Sequence, residues 1–293
     1  MRLSPRFGGY AEFSCLSKYK HLNLIIMKNA FFYPATFLLG LGSLLWSFNA
    51  APQAFAGKEI SNQAYQSNEE LNYRVHYGAL NAAVVQMSVS KPLKINNREA
   101  YNLKIEGQTI NSFSWMFRVR DKFESWVDAK SHAPLRYAKT VREDAYYHQD
   151  IAVYNHKEKW LKNKEGKISI TDHTMDVASA IYYMRTFDYK NKAVGHKFPM
   201  DIYIDNQLHK LSVKYVGKEV INTDLGKVAC IKLKPQLVVD RVFKDQDAMT
   251  VWVSDDENHI PIRIQTDIYV GSLKVDLTSY KNLKNPFNSL KGS

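Results

Sequence analysis

Cysteine is nearly missing from this chain: there are two in 293 residues. Cys15 lies in the N-terminal stretch, and Cys230 stands alone in "KVACIKLK". A lone thiol excludes an internal disulfide framework and the zinc and redox motifs built on paired cysteines. At an alternating position of an apolar strand, Cys230 reads as a small buried residue. A glycine-rich phosphate loop, a G-x-S-x-G elbow and an H-E-x-x-H pair are missing too. The histidines, among them His148, His156, His173, His196, His209 and His259, are scattered; His148-Gln149-Asp150 would put two ligands on one strand face, a spacing that reads better as an exposed polar face. The sequence therefore assigns no catalytic residue, no metal ligand and no cofactor. It also lacks internal repeats, low-complexity tracts and proline-rich linkers, so beyond its leader it reads as one domain.

A long apolar run occurs once, near the start. "MKNAFFYPATFLLGLGSLLWSFNAAPQAFA" has a lysine at its head, an apolar stretch from Phe31 to Phe48, and a small-x-small close at Ala54-Phe55-Ala56. This is the pattern of a secretory signal peptide cleaved after Ala56. Residues 1–26 are either an upstream extension, with the true start at Met27, or a lengthened basic region. Processing places the protein in the periplasm or outside the cell, with no transmembrane span left. Residues 57–70 read as a polar tether, residues 71–284 as a single β domain, and residues 285–293 as a tail.

Past the tether, β-branched and aromatic residues alternate with polar ones. Leu71, Tyr73, Val75 and Tyr77 set the phase, and Gly78 and Asn81 break it. Roughly a dozen such segments follow, with turn signals every eight to twelve residues, among them Asn96-Asn97, "NKEG", Asp205-Asn206 and Asp224-Leu225-Gly226. That rhythm predicts a mainly β fold, an antiparallel curved sheet or half-barrel.

"TDHTMDVASAIYYMRTFDY", Thr171 to Tyr189, breaks the rhythm. Val177, Ile181 and Met184 share a helical face, with Ala178 and Tyr182 beside them. The apolar stripe is wide and the segment is too short to span a bilayer, which predicts one central helix packed on the concave side of the sheet. Asp172 or Thr174 is placed to cap it. Asp176 and Arg185 suit the two ends of its dipole.

Charge and aromatics bound the partners. The formal net charge is +11, with lysines spread through the turns rather than clustered. That is a solvated surface without a nucleic-acid motif. Asp121 reads as a strand-end hydrogen-bond acceptor or ion pair, and Asp255-Asp256 as a turn satisfying its own backbone. Trp115, Phe117, Phe123, Trp126, Ile181, Tyr182, Met184 and Trp252 come from separate strands and the helix. In a curved sheet such residues line a cavity for a lipidic or apolar ligand. The leading expectation is an exported envelope protein that binds such a ligand or assists envelope assembly, with envelope proteins as further partners. The alternatives are a polysaccharide-active lyase or hydrolase, which needs an open polar cleft where carboxylates, Tyr or His converge, and a protein-interaction module.

Four stretches carry a family resemblance: "LNYRVHYGALNAAVVQMSV", "FRVRDKFESWVDAKSHAPLRYAKTVREDAYYH", "DVASAIYYMRTF" and "VWVSDDENHIPIRIQTDIYVGSLKVDL". In order and spacing they resemble an exported bacterial family known as domain of unknown function 3108, over about Leu71 to Lys281. The resemblance implies no particular chemistry. "WVSDDENHIPIRIQTDI" also looks like a strand–turn–strand of the lipoprotein-carrier half-barrels of the LolA/LolB kind. That short likeness implies a curved antiparallel sheet closed by helices over an apolar cavity.

Overall fold

The structure, a computed structural model, describes residue 60 and residues 62–112, 114, 117–236, 249–267 and 271–291. The expected leader, residues 1–56, and Trp115 lie outside the described residues.

The described residues form seventeen strands and one helix. β1 (Glu70–Tyr77) and β2 (Leu80–Val89) make the first hairpin, and β3 (Leu93–Ile95) and β4 (Arg98–Thr109) the second. A meander follows through β5 (Arg120–Asp128), β6 (Pro134–Glu143), β7 (Tyr146–Asn155), β8 (Trp160–Asn163) and β9 (Gly166–Ser169). β10 (Thr174–Met175) leads into α1 (Val177–Met184). The second meander comprises β11 (Lys197–Ile204), β12 (Gln207–Thr223), β13 (Gly226–Gln236), β14 (Met249–Ser254), β15 (Pro261–Asp267) and β16 (Ser272–Lys281). β17 (Leu290–Lys291) adds a short pair to β13.

Across the sheet the pairings run β9-β8-β7-β6-β5-β4-β2-β1-β16-β15-β14-β13-β12-β11-β10. All are antiparallel except β10 with β11. The two meanders join where β1 meets β16, with Tyr73 opposite Leu277. Among the described residues β9 and β10 do not pair, so the sheet curves without closing. The mainly β half-barrel with one helix is thus the architecture observed. The strand count exceeds the dozen expected because β3, β8, β9, β10 and β17 have two to four residues each, too few for periodicity to register.

Local chemistry sets the hairpins. Asn96 and Asn97 have φ of 50° and 62°, and Asp205 and Asn206 have 47° and 63°. Paired left-handed residues give the turn whose twist matches the flanking strands, and Asn and Asp tolerate that region best after glycine. Asn163 Oδ1 accepts from the backbone N–H groups of Glu165 and Gly166, which tightens the "NKEG" turn.

The helix is shorter than its apolar pattern. Thr174 and Met175 are extended because they pair with Asp201 and Ile202, so the helix begins at Val177. Asp176, rather than Asp172 or Thr174, is the cap. Its Oδ1 accepts from Ser179 N at 3.0 Å while Ser179 Oγ accepts from Asp176 N at 2.9 Å, a reciprocal capping box. After Met184 the bonds tighten to three-residue steps, and the Tyr189 hydroxyl donates to the Met184 carbonyl at 2.7 Å. On one side the helix packs into an apolar core containing Met175, Ala180, Met184, Phe187, Met200, Val251 and Val253. Cys230 is buried, and burial pushes its thiol up to about 12, as an inert core residue requires.

Candidate functional site

Alternation on β5, β6 and β7 builds one inward wall facing α1. Phe123, Lys139 and Asp150 oppose one another in a single cross-strand row. Ser125, Tyr137 and Ala152 form the row beside it. The Ser125 hydroxyl donates to Asp176 Oδ2 at 2.6 Å, which ties the helix cap to this wall. Burial raises the Asp176 carboxyl to about 6 despite those donors. Farther from the helix, Asp121, Val141, Glu143, Tyr146 and His148 continue the same face, and the wall turns from apolar to polar.

At this polar mouth Asp121 Oδ1 accepts from Arg142 N at 3.0 Å, the strand-end bond expected of it. Burial, with Glu143 adding repulsion, raises its carboxyl to about 7. Tyr146 stacks on His148 at 6.3 Å, while Tyr147 sits on the opposite face under Arg142, as adjacent strand residues must. Burial and the charge of Lys139 lower the His148 pKa.

Side chains bridge the gap that the backbone leaves open. Lys139 Nζ pairs with Asp205 at 2.6 Å. Asn163 Nδ2 donates to the Tyr203 hydroxyl at 2.8 Å and to Asn206 Oδ1 at 2.7 Å, and Asn206 Nδ2 donates to Glu165 Oε1 at 2.5 Å. The Tyr203 hydroxyl donates to Asp150 Oδ2 at 3.1 Å. The β6–β9 side and the β11–β12 turn are therefore clasped by polar side chains.

The other end of α1 is anchored by charge. Arg185 is fully buried and binds Glu69 with both terminal nitrogens, at 2.6 and 2.9 Å. Its remaining donors reach the carbonyls of Ala64 (2.9 Å) and Asn258 (3.0 Å). Burial opposes the guanidinium charge, but the Glu69 carboxylate reverses the balance and holds Arg185 above the usual arginine range. Tyr65 and Tyr182 flank the guanidinium, and the Tyr65 hydroxyl bonds His132 Nδ1 at 2.7 Å. Arg185 thus acts through an ion pair and not through the helix dipole. Glu69 and Tyr65, in the segment read as a tether, are buried parts of the fold.

The expected ligand-lining residues do not share one wall. Phe117 is buried ahead of β5, and Phe123 faces inward beneath Lys139. Trp126 and Trp252 lie on the opposite face of their strands, beside Arg136 and Lys232 respectively. Trp252 Nε1 also donates to Glu219. On α1, Tyr182 packs toward Tyr65, Met184 enters the methionine-rich core, and Ile181 is half-exposed. The sequence reads Asp150, with His148, as an exposed polar strand face and Asp205 as part of a hairpin turn, and it does not single out Lys139. One signal was available: Lys139 occupies the apolar phase of "YAKTV", between Tyr137 and Val141.

Two surface clefts are formed by described residues. One of about 300 Å³ is bordered by Glu70, Ser88, Ser90, Asn102, Lys104 and Glu124. The other, about 110 Å³, is bordered by Tyr189, Lys218, Asp255, Glu257 and His259. No residue of α1 lines either cleft.

A family model, DUF3108, a protein of unknown function, matches residues 72–278. The chain belongs to the DUF3108 family. Among solved structures, this DUF3108 protein is similar to a β-barrel-like protein of domain of unknown function DUF1849 from Brucella abortus. The TM-score is 0.50 at 9% identity, over 74% of this chain and 98% of that one. The likeness is one of fold. The lipoprotein LppX of Mycobacterium tuberculosis also matches, at a TM-score of 0.16 and 11% identity, over 75% of this chain and 88% of that one. Comparison with the curated proteins gives no match. No helix among the described residues of the DUF3108 chain is long and apolar enough to cross a membrane.

Proposed function

We propose that this DUF3108 chain is an exported protein of the cell envelope that binds a lipidic ligand on the methionine-rich side of α1. Export rests on the leader pattern that closes at Ala54-Phe55-Ala56. The observation that carries the binding reading is an apolar fringe. Val177, Tyr183, Ile204, Leu211, Met249 and Ile264 are only partly buried, and all pack against the core that contains Met175, Met184 and Met200. Half-exposed apolar side chains around a core of flexible thioethers form a surface that adapts to an alkyl chain. Val177 and Tyr183 are the helix residues on this fringe, with Met184 in the core beneath them. An acyl chain lying there exchanges water for thioether and aliphatic contacts, at roughly 0.8 kcal/mol per buried methylene.

Native mass spectrometry of the exported protein after mild extraction tests this. A mass increment that lipid extraction removes is the expected result. A ligand-free mass, together with no saturable uptake of a fluorescent fatty acid, overturns the reading.

A further inference from the structure

The face of β5–β9 turned away from α1 brings cations, aromatic rings and aliphatic side chains together in register. One cross-strand row runs Trp126, Arg136, Val153, Lys162, Lys167 from β5 to β9. In the row beside it Ala138 lies between Glu124 and Ile151. Thr140 and Gln149 follow, and then Arg142 opposite Tyr147. Rings on this face carry cations: Arg136 lies over Trp126 at 5.0 Å, Arg142 over Tyr147 at 5.4 Å, and Lys167 over Trp160 at 4.3 Å. On β7, the middle strand, Ile151 and Val153 are 39% and 42% exposed, and Tyr147 is 57% exposed.

The charge on this face is of one sign. Arg120, Lys122, Arg136, Arg142, Lys162 and Lys167 point outward, and among the described residues Glu124 is the accessible carboxylate set against them. Lys122 pairs with it at 2.9 Å. Asp128, at the end of β5, is buried and pairs with Arg98. On neighbouring β4, Lys104 and Glu106 pair with each other at 3.2 Å. The flanking turns offset nothing: Asp144, Glu158, Glu165 and Asp172 are matched there by Lys130, Lys157, Lys159 and Lys164. A surplus of positive charge therefore surrounds the exposed aliphatic pair.

A bilayer surface with anionic headgroups meets every part of this pattern. Arg and Lys pair with phosphates, Trp and Tyr rings sit at headgroup level, and aliphatic side chains face the acyl boundary. An acidic glycan would suit the cations and the rings, but it offers nothing to Ile151 and Val153. We propose that the outer face of β5–β9 docks the protein on a membrane surface rich in anionic phospholipid. Arg136, Arg142 and Lys167 meet the headgroups, and Ile151 and Val153 enter the interface between them. Docking does not rest on the apolar-ligand reading, because it uses no residue of the apolar fringe.

Flotation of the purified exported protein with vesicles of phosphatidylglycerol and phosphatidylcholine, or of phosphatidylcholine alone, tests the face. Binding to the anionic vesicles and not to the neutral ones is expected, and it should weaken as salt rises. Arg136→Gln with Arg142→Gln should weaken it roughly ten-fold or more, because each basic side chain near an anionic surface contributes separately. Lys190→Gln with Lys218→Gln removes the same charge from side chains elsewhere that are 75% and 56% exposed, and should cost far less. Ile151→Ser with Val153→Ser keeps every charge and should also weaken binding. All these positions are on the surface, and thermal melting confirms that the variants fold. Failure to bind anionic vesicles overturns the docking face. So does binding that the arginine pair or the serine pair leaves unchanged, or that the lysine pair weakens as much as the arginine pair does. Binding of soluble polygalacturonate without binding of vesicles also overturns it and identifies an acidic glycan as the partner. Lipid retained in native mass spectra without flotation would sink docking alone and leave the apolar-ligand reading in place.

Discussion

Arg185 and Glu69 are 116 residues apart in the chain, yet their side chains meet at 2.6 Å with no surface exposed on either. The pair joins the end of α1 to the segment entering β1. The Arg185 carbonyl and side chain also bind the β14–β15 turn through His259 Nδ1 (2.8 Å) and the Asn258 carbonyl. Removing one member of a buried pair leaves the other charge without compensation. Arg185→Met is therefore expected to cost about 3–5 kcal/mol in denaturant unfolding. The double variant Arg185→Met, Glu69→Gln should lose clearly less than the two single losses added together. A strictly additive double variant would mean that the pair does not act as a unit.

The cap of α1 should respond in graded fashion. Asp176→Asn keeps an acceptor for Ser179 N and is expected to be the milder change. Asp176→Ala removes the cap and strands the Ser125 hydroxyl, at about 1–3 kcal/mol. Circular dichroism at equal temperature and thermal melting of both variants check the order.

Two buried carboxyls oppose the fold as pH rises. Asp121 is raised to about 7 and Asp176 to about 6, from an ordinary 3.8. A group raised on folding contributes stability that is complete below the unfolded value and lost as pH climbs through the folded one. Between about pH 4 and pH 7 these carboxyls thus erode stability, on the order of 2–4 kcal/mol for a shift as large as that of Asp121. His132 works the other way: burial lowers it to about 4, so its contribution is complete above pH 6.5 and lost as pH falls toward 4. Asp121→Asn should flatten the loss on the alkaline side while leaving the acid limb in place. Urea midpoints measured from pH 4 to pH 8 read both limbs.

The clasp across the open side of the sheet is separable from the turn that presents it. Asn206 has φ of 63°, so Asn206→Gly keeps the turn geometry. It removes the side chain that bridges Asn163 and Glu165. Hydrogen exchange is expected to quicken in β8, β9 and β10 with little change in β1 and β16. Unchanged exchange in β8–β10 would show that the clasp adds nothing.

Features decided within a few residues could be read directly from the chain. Alternation around Leu71, Tyr73 and Val75 gave a strand in the right phase, and the left-handed pairs at Asn96-Asn97 and Asp205-Asn206 gave hairpins where expected. The helix was recognisable by its apolar stripe, but not its length. Thr174 and Met175 give up helical bonds for a pairing with β11, which starts more than twenty residues later. Lys139 and Asp205 look like ordinary polar positions until β6 and the β11–β12 turn bring them together.

By itself the sequence determined the β rhythm, the hairpin turns, the single buried helix and the leader pattern, because each depends on backbone preference and side-chain period over a short window. The tertiary structure alone decided that β1 pairs with β16, that Glu69 is the counter-charge of Arg185, and that side chains span the gap between β9 and β10. Those outcomes follow from long-range register and from the cost of burying charge, and neither leaves a mark on neighbouring residues.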